Sequence, residues 1–216
     1  MRYGLIGSSG RMGKEIIETF KGHDLVLEVS DTGIFRHGEP EIIIDFSNRE
    51  ALKTAIEMAY QFGAGIVTGT TALNQSDIAD LRRLAEKVPV VQSFNFSTGI
   101  NLLRMILKEY SSLLEEFEAE IIEVHHSAKK DAPSGTAIML KESVGRDLPI
   151  HSVRTGGIPG DHSVFFANEG EVIEISHRVI SRKVFAIGAL KAAMFCAERE
   201  NGFYSYEEVV RWMQKR

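Results

Sequence analysis

The opening segment, MRYGLIGSSGRMGKEIIETF, constrains the fold most strongly, because an apolar strand runs through a glycine turn into a helix. Residues 3–6 form a short apolar run, and helical periodicity follows the last glycine. Gly7, Gly10 and Gly13 are spaced as in one variant of the dinucleotide-binding fingerprint. Such glycines permit a tight turn and a close approach of the backbone to a pyrophosphate at the helix N-terminus. The alternative is an ordinary glycine-rich turn.

Strands and helices alternate from residue 1 to residue 97. Strand-like runs recur as LVLEVSDTG, EIIIDFS, AGIVTGTT and PVVQSFNFS, and the helix-like segments REALKTAIEMAYQFG and SDIADLRRLAEKV separate the last three. This alternation predicts an α/β Rossmann dinucleotide-binding domain with a parallel, doubly wound sheet. The segment between Asp31 and the next strand is too brief for a full helix.

Ligands of such sheets bind beyond the carboxyl ends of the strands, so the residues found there are candidates for a cofactor site. These residues are Gly7, Ser8, Ser9, Gly10, Arg11, Met12, Gly13, Asp31, Gly69, Thr70, Thr71, Ser93, Phe94, Asn95 and Phe96. Taken singly, GTT would be an ordinary turn and FNFS an aromatic core segment. Their positions after successive strands favour the cofactor site.

Asp31 bears on the choice of cofactor. A carboxylate at the end of the second strand can accept hydrogen bonds from the ribose hydroxyls, which favours NAD, although the alternative is an ordinary turn residue. Arg11, Lys14 and Arg36 are cations that could approach the 2′-phosphate of NADP. The sequence therefore predicts use of both NADH and NADPH.

A second informative segment is EIIEVHHSAKKDAPSGTA, residues 120–137. Its β-branched residues predict a strand that includes Glu123 and runs into His125 and His126. Apolar residues at helical spacing follow, and Ser134 is placed to cap that helix. The N–H groups of the first helical turn would then form an anion site that faces proton donors at the strand end.

Each part of this segment has an alternative interpretation. Adjacent histidines could bind a metal, but successive strand side chains point to opposite faces, so we predict no metal site. Lys129 and Lys130 could belong to a solvated loop, and for Lys130 we favour that interpretation. Ser134 could be a nucleophile, yet capping explains it without chemistry.

Composition indicates a globular protein and excludes some partners. The chain has 216 residues, of which 44% are hydrophobic, and a formal net charge of -5. The charge argues against a general binder of nucleic acid or anionic membranes. A single cysteine, Cys196, fits a reducing cytoplasm, and we find neither a bilayer-spanning apolar run nor a signal peptide.

From Thr98 the pattern changes to that of a second, α+β domain. HSVFFA and EVIEISHRV predict antiparallel strands, and the final stretch predicts helix with a break at Asn201-Gly202. We interpret His151, His162 and His177 as structural or surface residues. Arg154 and Arg182 are cations whose role is either functional or a salt bridge.

The segment that carries Glu123, His125, His126, Lys129 and DAPSGTA in this order resembles the signature of dihydrodipicolinate reductases. These enzymes are now called 4-hydroxy-tetrahydrodipicolinate reductases and act in the diaminopimelate route to lysine. The resemblance implies NAD(P)H-dependent reduction of 4-hydroxy-tetrahydrodipicolinate with loss of water. In the family's pattern, an arginine follows the acidic residue at the position of Thr32.

The resemblance also implies roles for individual residues. His125 and Lys129 match the acid-base positions, and His126, Gly135 and Thr136 match the substrate-binding positions. Residues 69–71 and 93–96 would lie against the nicotinamide and its ribose.

The domains implied are a Rossmann domain, 1–97 completed by the tail 184–216, and a substrate-binding and oligomerisation domain, 98–183, built on a mixed sheet. The resemblance implies a homotetramer formed through the substrate domains. We expect the alternating apolar face of HSVFFA and EVIEISHRV to be covered by a neighbouring subunit. The alternatives are another Rossmann oxidoreductase and a noncatalytic nucleotide sensor.

Overall fold

The structure, a computed structural model, describes residues 1–216 and divides into two compact units. The first contains Met1–Ser97 and Lys183–Arg216, and the second contains Thr98–Arg182. The predicted tail started one residue later, at 184.

The strands are β1 Arg2–Ile6, β2 Asp24–Ser30, β3 Gly33–Arg36, β4 Ile42–Asp45, β5 Gly65–Thr68, β6 Pro89–Gln92, β7 Glu118–His125, β8 Ile150–Arg154, β9 Asp161–Ala167, β10 Val172–Arg178 and β11 Gly202–Ser205. The helices are α1 Arg11–Thr19, α2 Arg49–Phe62, α3 Gln75–Leu84, α4 Thr98–Tyr110, α5 Gly135–Val144, α6 Lys183–Ala197 and α7 Tyr206–Gln214. A 3₁₀ turn, Ser111–Leu114, follows α4.

The first unit is built on a seven-stranded sheet in the order β11-β6-β5-β4-β1-β2-β3. Every pair is parallel except β2 and β3. All residues of β4 and β5 are buried, as expected for strands that are covered on both faces. The predicted Rossmann domain with a parallel sheet is confirmed.

Two segments of the first unit differ from the sequence prediction. The short stretch after Asp31 forms β3, which pairs antiparallel with β2 through a turn at Asp31 and Thr32; Gly33, at φ 132°, allows the reversal. The tail does not simply break between helices at Gly202. It forms β11, which pairs parallel with β6, because the short aromatic run FYS can extend along an edge that β6 leaves open.

The second unit contains a four-stranded sheet in the order β10-β9-β7-β8. The pair β7-β8 is parallel and the other two pairs are antiparallel, so the predicted mixed sheet is confirmed. Apolar residues of α4 and α5, among them Ile100 and Leu140, pack with Ile121 of β7 in one core. This core covers one face of the sheet.

The prediction that a neighbouring subunit covers the alternating apolar residues of β9 and β10 is wrong. Val164 and Phe166 are 0% and 1% exposed within the single chain. They lie on the face that packs against α4 and α5, and Ile173 and Ile175 pack against the same core. The opposite face is the uncovered one, where Ile122 and Val153 are exposed.

Gly188 provides a test of the packing of the first unit. It lies in α6, where an added Cβ would stand 1.8 Å from the backbone oxygen of Phe96. Gly188→Ala gains about 1 kcal/mol of helix propensity. We nevertheless expect it to lower the free energy of unfolding by about 1–3 kcal/mol, because the backbone must move to admit the methyl group.

Urea unfolding measures this change. The control is Gly157→Ala, which adds the same methyl group where no atom lies within 4 Å. The control should stay within about 0.5 kcal/mol of wild type. An unchanged or raised midpoint for Gly188→Ala would contradict the close packing of α6 on Phe96.

Candidate active site

In the glycine turn of the first unit, the backbone at Gly7 packs closely against Gly13. The N–H groups of the first turn of α1 lie beside this turn and could bind an anion. Gly7 has φ 81°, and its N–H donates to the Val29 oxygen at 2.7 Å. A Cβ on Gly13 would lie 2.3 Å from the Gly7 oxygen, so only glycine fits there. Gly10, the N-cap of α1, supplies no side-chain hydrogen bond, and the first turn contains no acidic residue. The turn therefore fits a pyrophosphate.

The predicted cofactor residues follow the carboxyl ends of β1, β2, β5 and β6. These strands and β4 are neighbours in the sheet, so the structure brings the segments that follow them to one edge. Ser8 is buried, whereas the Ser9 hydroxyl donates to Asp31 Oδ1 at 2.8 Å. That bond places the Asp31 carboxylate beside the glycine turn, where a ribose could meet it.

Asp45, at the end of β4, organises this edge and was not predicted. Its buried carboxylate accepts hydrogen bonds from the hydroxyls of Thr68 (2.8 Å), Thr70 (2.7 Å) and Ser47. Burial raises the pKa of Asp45, and the hydroxyl hydrogen bonds oppose that rise. The carboxylate thereby holds the loop that contains Thr70. A charged residue directly after the apolar run Ile42–Ile44 was the signal in the sequence.

The loops after β5 and β6 differ in what they expose. A Cβ on Gly69 would lie 2.3 Å from the Phe46 ring, so this glycine permits close packing. Phe96 is 1% exposed and its ring packs between those of Phe46 and Tyr206, with centroids 4.9 and 5.0 Å away. The Phe96 side chain is therefore core. Phe94 is exposed.

The remaining residues of these loops lie at the same sheet edge. The Ser93 hydroxyl donates to the Asn95 oxygen at 2.9 Å, which fixes the loop after β6. Thr71 is exposed, and Met12 is half-buried in the first turn of α1.

One of the three cations proposed for the 2′-phosphate lies elsewhere. Arg36 opposes Leu27 in the β2-β3 ladder, three residues before the end of β2, which is about 10 Å along a strand. Its guanidinium stacks on the Phe62 ring and pairs with Glu39 at 3.2 Å. The antiparallel direction of β3 carries it away from the carboxyl edge. Arg11 and Lys14, in the first turn of α1, are exposed.

The second unit places a group of charged and imidazole side chains on the buried face of its sheet. Glu123 and His125 alternate with Ile121 along β7, so all three share the face that packs against the helices. Glu123 is 0% exposed and His125 is 7% exposed. The sequence analysis placed Glu123 in a strand and in the family signature but gave it no role in the site, although this alternation was the available signal.

Arg154, Ser134 and His125 satisfy the Glu123 carboxylate through four hydrogen bonds. Arg154, at the end of β8, donates from Nη1 to Oε2 at 2.8 Å and from Nη2 to Oε1 at 2.6 Å. The Ser134 N–H donates to Oε1 at 3.1 Å, and His125 Nδ1 is hydrogen-bonded to Oε2. Arg154 also donates to the Asp131 oxygen at 2.6 Å. Arg154 therefore forms a salt bridge, whereas Arg182 forms no ion pair within the chain.

The pKa values of Glu123 and His125 both shift downward. Burial would raise the pKa of Glu123, but hydrogen bonds from Arg154, Ser152 and His125 outweigh it and lower the pKa to about 2. Burial lowers the pKa of His125, and Glu123 opposes that change. His125 is thus less readily protonated than an unperturbed imidazole.

A second buried histidine packs against His125. The rings of His125 and His162 are 5.1 Å apart in an edge-to-face arrangement, and His162 Nε2 lies 3.2 Å from the Ser134 hydroxyl. Burial, with the nearby His125, lowers the pKa of His162 to about 3. His162 is therefore neutral at pH 7.

The loop between β7 and α5 carries the other predicted residues. Lys129 Nζ lies 2.8 Å from Asp131 Oδ1, and the Lys129 side chain is 23% exposed. Partial burial would raise the pKa of Asp131, but the hydrogen bond and charge of Lys129 lower it. The His126 N–H donates to the Ile158 oxygen at 2.8 Å, while its half-buried side chain makes no hydrogen bond within the chain.

Ser134 caps α5, as predicted. Its hydroxyl accepts a hydrogen bond from the Ala137 N–H at 3.2 Å. Gly135 and Thr136 are the first two residues of the helix, and Gly135 is exposed. The N–H groups of this turn point along the positive end of the helix dipole.

The structure contains no group of three or more His, Cys, Asp or Glu side chains that could hold a metal ion. None of its helices is long and apolar enough to cross a bilayer.

Family models match both parts of the chain. The model described as dihydrodipicolinate reductase, N-terminus, matches residues 24–96, and the C-terminus model matches residues 99–210. The chain belongs to the dihydrodipicolinate reductase family. The resemblance inferred from the 120–137 segment is confirmed.

Relatives in this family align along nearly the whole chain. A 4-hydroxy-tetrahydrodipicolinate reductase of Thermosipho africanus is 48% identical over 213 residues, which cover 98% of each protein. The enzyme of that name from Zymomonas mobilis is 37% identical over 246 residues and covers 97% of each protein.

Solved structures agree on the fold. Dipicolinate-bound dihydrodipicolinate reductase from Paenisporosarcina sp. TG-14 matches 95% of this chain and 97% of its own, with a TM-score of 0.79 at 21% identity. The DAP dehydrogenase of C. glutamicum in complex with DAP gives a TM-score of 0.59 at 12% identity, covering 99% of this chain and 95% of its own.

The low pKa of Glu123 predicts how stability depends on pH. Because the folded-state pKa of about 2 lies below the ordinary value of 4.5, ionised Glu123 stabilises the fold above pH 4.5. This stabilisation should be lost as the pH falls from 4.5 toward 2. We expect Glu123→Gln to be less stable than wild type at pH 7 and to lose less stability between pH 5 and pH 3.

Urea unfolding at each pH measures this dependence. The control is Glu120→Gln, a substitution on the same strand at a side chain that is 56% exposed. In this control, the free energy of unfolding should change with pH as it does in the wild type. Equal slopes for wild type and Glu123→Gln would contradict the stabilising role of the Glu123 charge.

Proposed function

We propose that this protein catalyses NAD(P)H-dependent reduction of 4-hydroxy-tetrahydrodipicolinate, via dihydrodipicolinate, to tetrahydrodipicolinate with loss of water. The product would serve lysine biosynthesis by the diaminopimelate pathway. The observation that carries this proposal is the 48% identity, over 98% of both chains, to a reductase named for this substrate. The second unit supports it, because His125 and Lys129 occur in the same segment as the N-terminus of α5.

The first unit has the features that a nicotinamide dinucleotide requires. The Gly7–Gly13 turn would hold the pyrophosphate, and Asp31 would accept a hydrogen bond from a ribose hydroxyl. The loops at residues 69–71 and 93–96 would line the nicotinamide end. When bound, the cofactor supplies the hydride for C4 of the substrate ring.

The second unit would bind the substrate and form the oligomer. A cyclic dicarboxylate carries two negative charges, and the first-turn N–H groups of Gly135 and Thr136 suit one carboxylate. His126, with a side chain free of hydrogen bonds, and Lys129 are the neighbouring donors. These roles follow the family positions.

His125 and Lys129 would handle the proton. After hydride transfer the enamine must accept a proton, and an imidazolium or an ammonium can deliver it. His125 is neutral in most molecules at pH 7 because its pKa is lowered. It must therefore take up a proton before it can act as the acid.

The direct experiment is an assay with freshly prepared substrate that follows the loss of reduced-cofactor absorbance. Turnover with NADH or NADPH is expected. A folded protein that shows no turnover with either cofactor would refute the proposed reaction.

A double-mutant cycle tests whether His125 and Lys129 act on one proton transfer. We expect His125→Ala and Lys129→Ala each to lower turnover by roughly 100-fold or more while fold and cofactor binding persist. The double variant should lose much less than the product of the two factors.

Lys130→Ala is the matched control, since Lys130 is exposed and adjacent to Lys129. Multiplicative losses would show independent roles, with Lys129 a carboxylate clamp. Near-normal turnover in either single variant would remove that residue from the mechanism.

The cofactor preference should be modest. Asp31 favours the free ribose of NADH and repels the 2′-phosphate of NADPH, whereas Arg11 and Lys14 are available to offset that repulsion. We expect both cofactors to support turnover with kcat/KM values within about a thousandfold, or 4 kcal/mol. Arg11→Ala should lower kcat/KM for NADPH more than kcat/KM for NADH. A larger preference in the wild type would contradict this balance.

We further propose a cytoplasmic homotetramer. The buried, free Cys196 suits a reducing compartment. The uncovered face of the second sheet presents Ile122 and Val153, and a second copy would remove that apolar surface from water. Light scattering at micromolar concentration should give the mass of four chains; a monomer would refute the tetramer.

A further inference from the structure

The two ring nitrogens of His125 have different surroundings. Nδ1 is hydrogen-bonded to Glu123 Oε2, and Nε2 makes no hydrogen bond within the chain. Nε2 faces Gly160, where an added Cβ would lie 3.0 Å away. Nε2 is therefore the ring nitrogen that the chain leaves without a hydrogen bond, and the one that remains to bond a ligand.

Glu123 can only accept the hydrogen bond from His125. Both carboxylate oxygens are paired with Arg154, and the Ser134 N–H adds a third donor. These donors keep the carboxyl group ionised, and an ionised carboxylate has no proton to give. The proton shared with Glu123 must then belong to His125 Nδ1.

We propose that Glu123 is a positioning residue that holds His125 as the Nδ1–H tautomer, so that Nε2 takes up and delivers the catalytic proton. The catalytic part of this inference rests on the proposed function. Arg154 acts through Glu123, because it fixes the carboxylate in place from the neighbouring strand β8. Neither residue has to touch the substrate for this role.

Among the charged groups that face His125, Glu123 is the one that favours the protonated imidazole. Lys129 from the loop and Arg154 from β8 are cations that disfavour imidazolium. His162 on β9 packs against the ring and is neutral at pH 7, and His177 on β10 faces His162. Asp131 is paired with Lys129. Glu123 is the acidic group in contact with the ring, so its removal leaves His125 among cations.

A measurement on the wild-type protein tests the tautomer without any substitution. Long-range ¹H–¹⁵N spectra of the imidazole groups, assigned by comparison with His125→Ala, should show a protonated Nδ1 and an unprotonated Nε2 for His125 at pH 8. A protonated Nε2 would overturn the proposal. Because this readout needs no substrate, it is independent of whether the proposed reaction occurs.

Kinetics of variants test the consequence for proton delivery. Glu123→Gln should lower kcat/KM at pH 7 by about 100-fold, mainly through kcat. In a plot of kcat/KM against pH, the basic limb, where activity falls as the pH rises, should move to lower pH. The reason is that the imidazolium loses its carboxylate partner. Glu123→Asp, which retains the charge, should restore part of the rate and return the limb toward its wild-type position.

Glu123→Gln leaves the half-buried Arg154 without its carboxylate partner and could fail to fold. The double variant Glu123→Gln/Arg154→Gln removes both charges and keeps the test available, with Glu120→Gln as the control for an exposed charge on β7. An unmoved limb in a folded variant would overturn the proposal. Absence of turnover in the wild type, with the Nδ1–H signal present, would instead refute the proposed reaction and leave the tautomer assignment standing.

Discussion

The ion pair between Glu123 and Arg154 is the interaction on which the second unit's candidate site depends. A carboxylate with no exposed surface is costly to bury, and removal of one partner from such a pair typically costs about 3–5 kcal/mol. Here each oxygen has an Arg154 donor, and the remaining capacity is taken by His125 and the Ser134 backbone. A single carboxylate thus joins the ends of β7 and β8 to the start of α5.

The first unit also contains a buried carboxylate, which hydroxyl groups satisfy. Asp45 is also fully buried, but its partners are neutral: Thr68, Thr70 and Ser47. Neutral donors stabilise a buried charge less than a guanidinium does, and the two carboxylates shift in opposite directions, with the pKa of Asp45 raised and that of Glu123 lowered. Asp45 fixes the loop that contains Thr70, whereas Glu123 holds the His125 ring beside an ionised carboxylate.

Local patterns predicted those parts of the fold that depend on nearby residues. The glycine turn, the alternation that leads to a parallel sheet and the Ser134 cap all act within a few residues, so the sequence specified them. The strand β11 was missed because its only partner is β6, more than a hundred residues earlier in the chain. Arg36 could not be placed from the sequence because its distance from Asp31 depends on the direction of β3, which is set by pairing with β2.

Burial limited the prediction of the candidate site. His125 and Lys129 could be singled out from their order in the 120–137 segment, but the shift in the pKa of His125 depends on its burial and on charges from β7, β8 and the loop of Lys129. Arg154 could not be separated from an ordinary surface cation until the register of β7 and β8 placed it opposite His125, within reach of Glu123 on the same face. The covered face of the second sheet was likewise assigned to a neighbouring subunit because nothing in β9 or β10 reveals the helices that pack on it.

The return of the tail into the first unit has a consequence for biosynthesis. Residues 98–182 leave the ribosome before α6, β11 and α7, so the second unit can fold while the first still lacks its edge strand and the helix that packs on Phe96. Until then β6 has an unpaired edge, the kind of surface on which nascent chains associate. The unit whose synthesis begins first therefore cannot be completed until the end of the chain has been made.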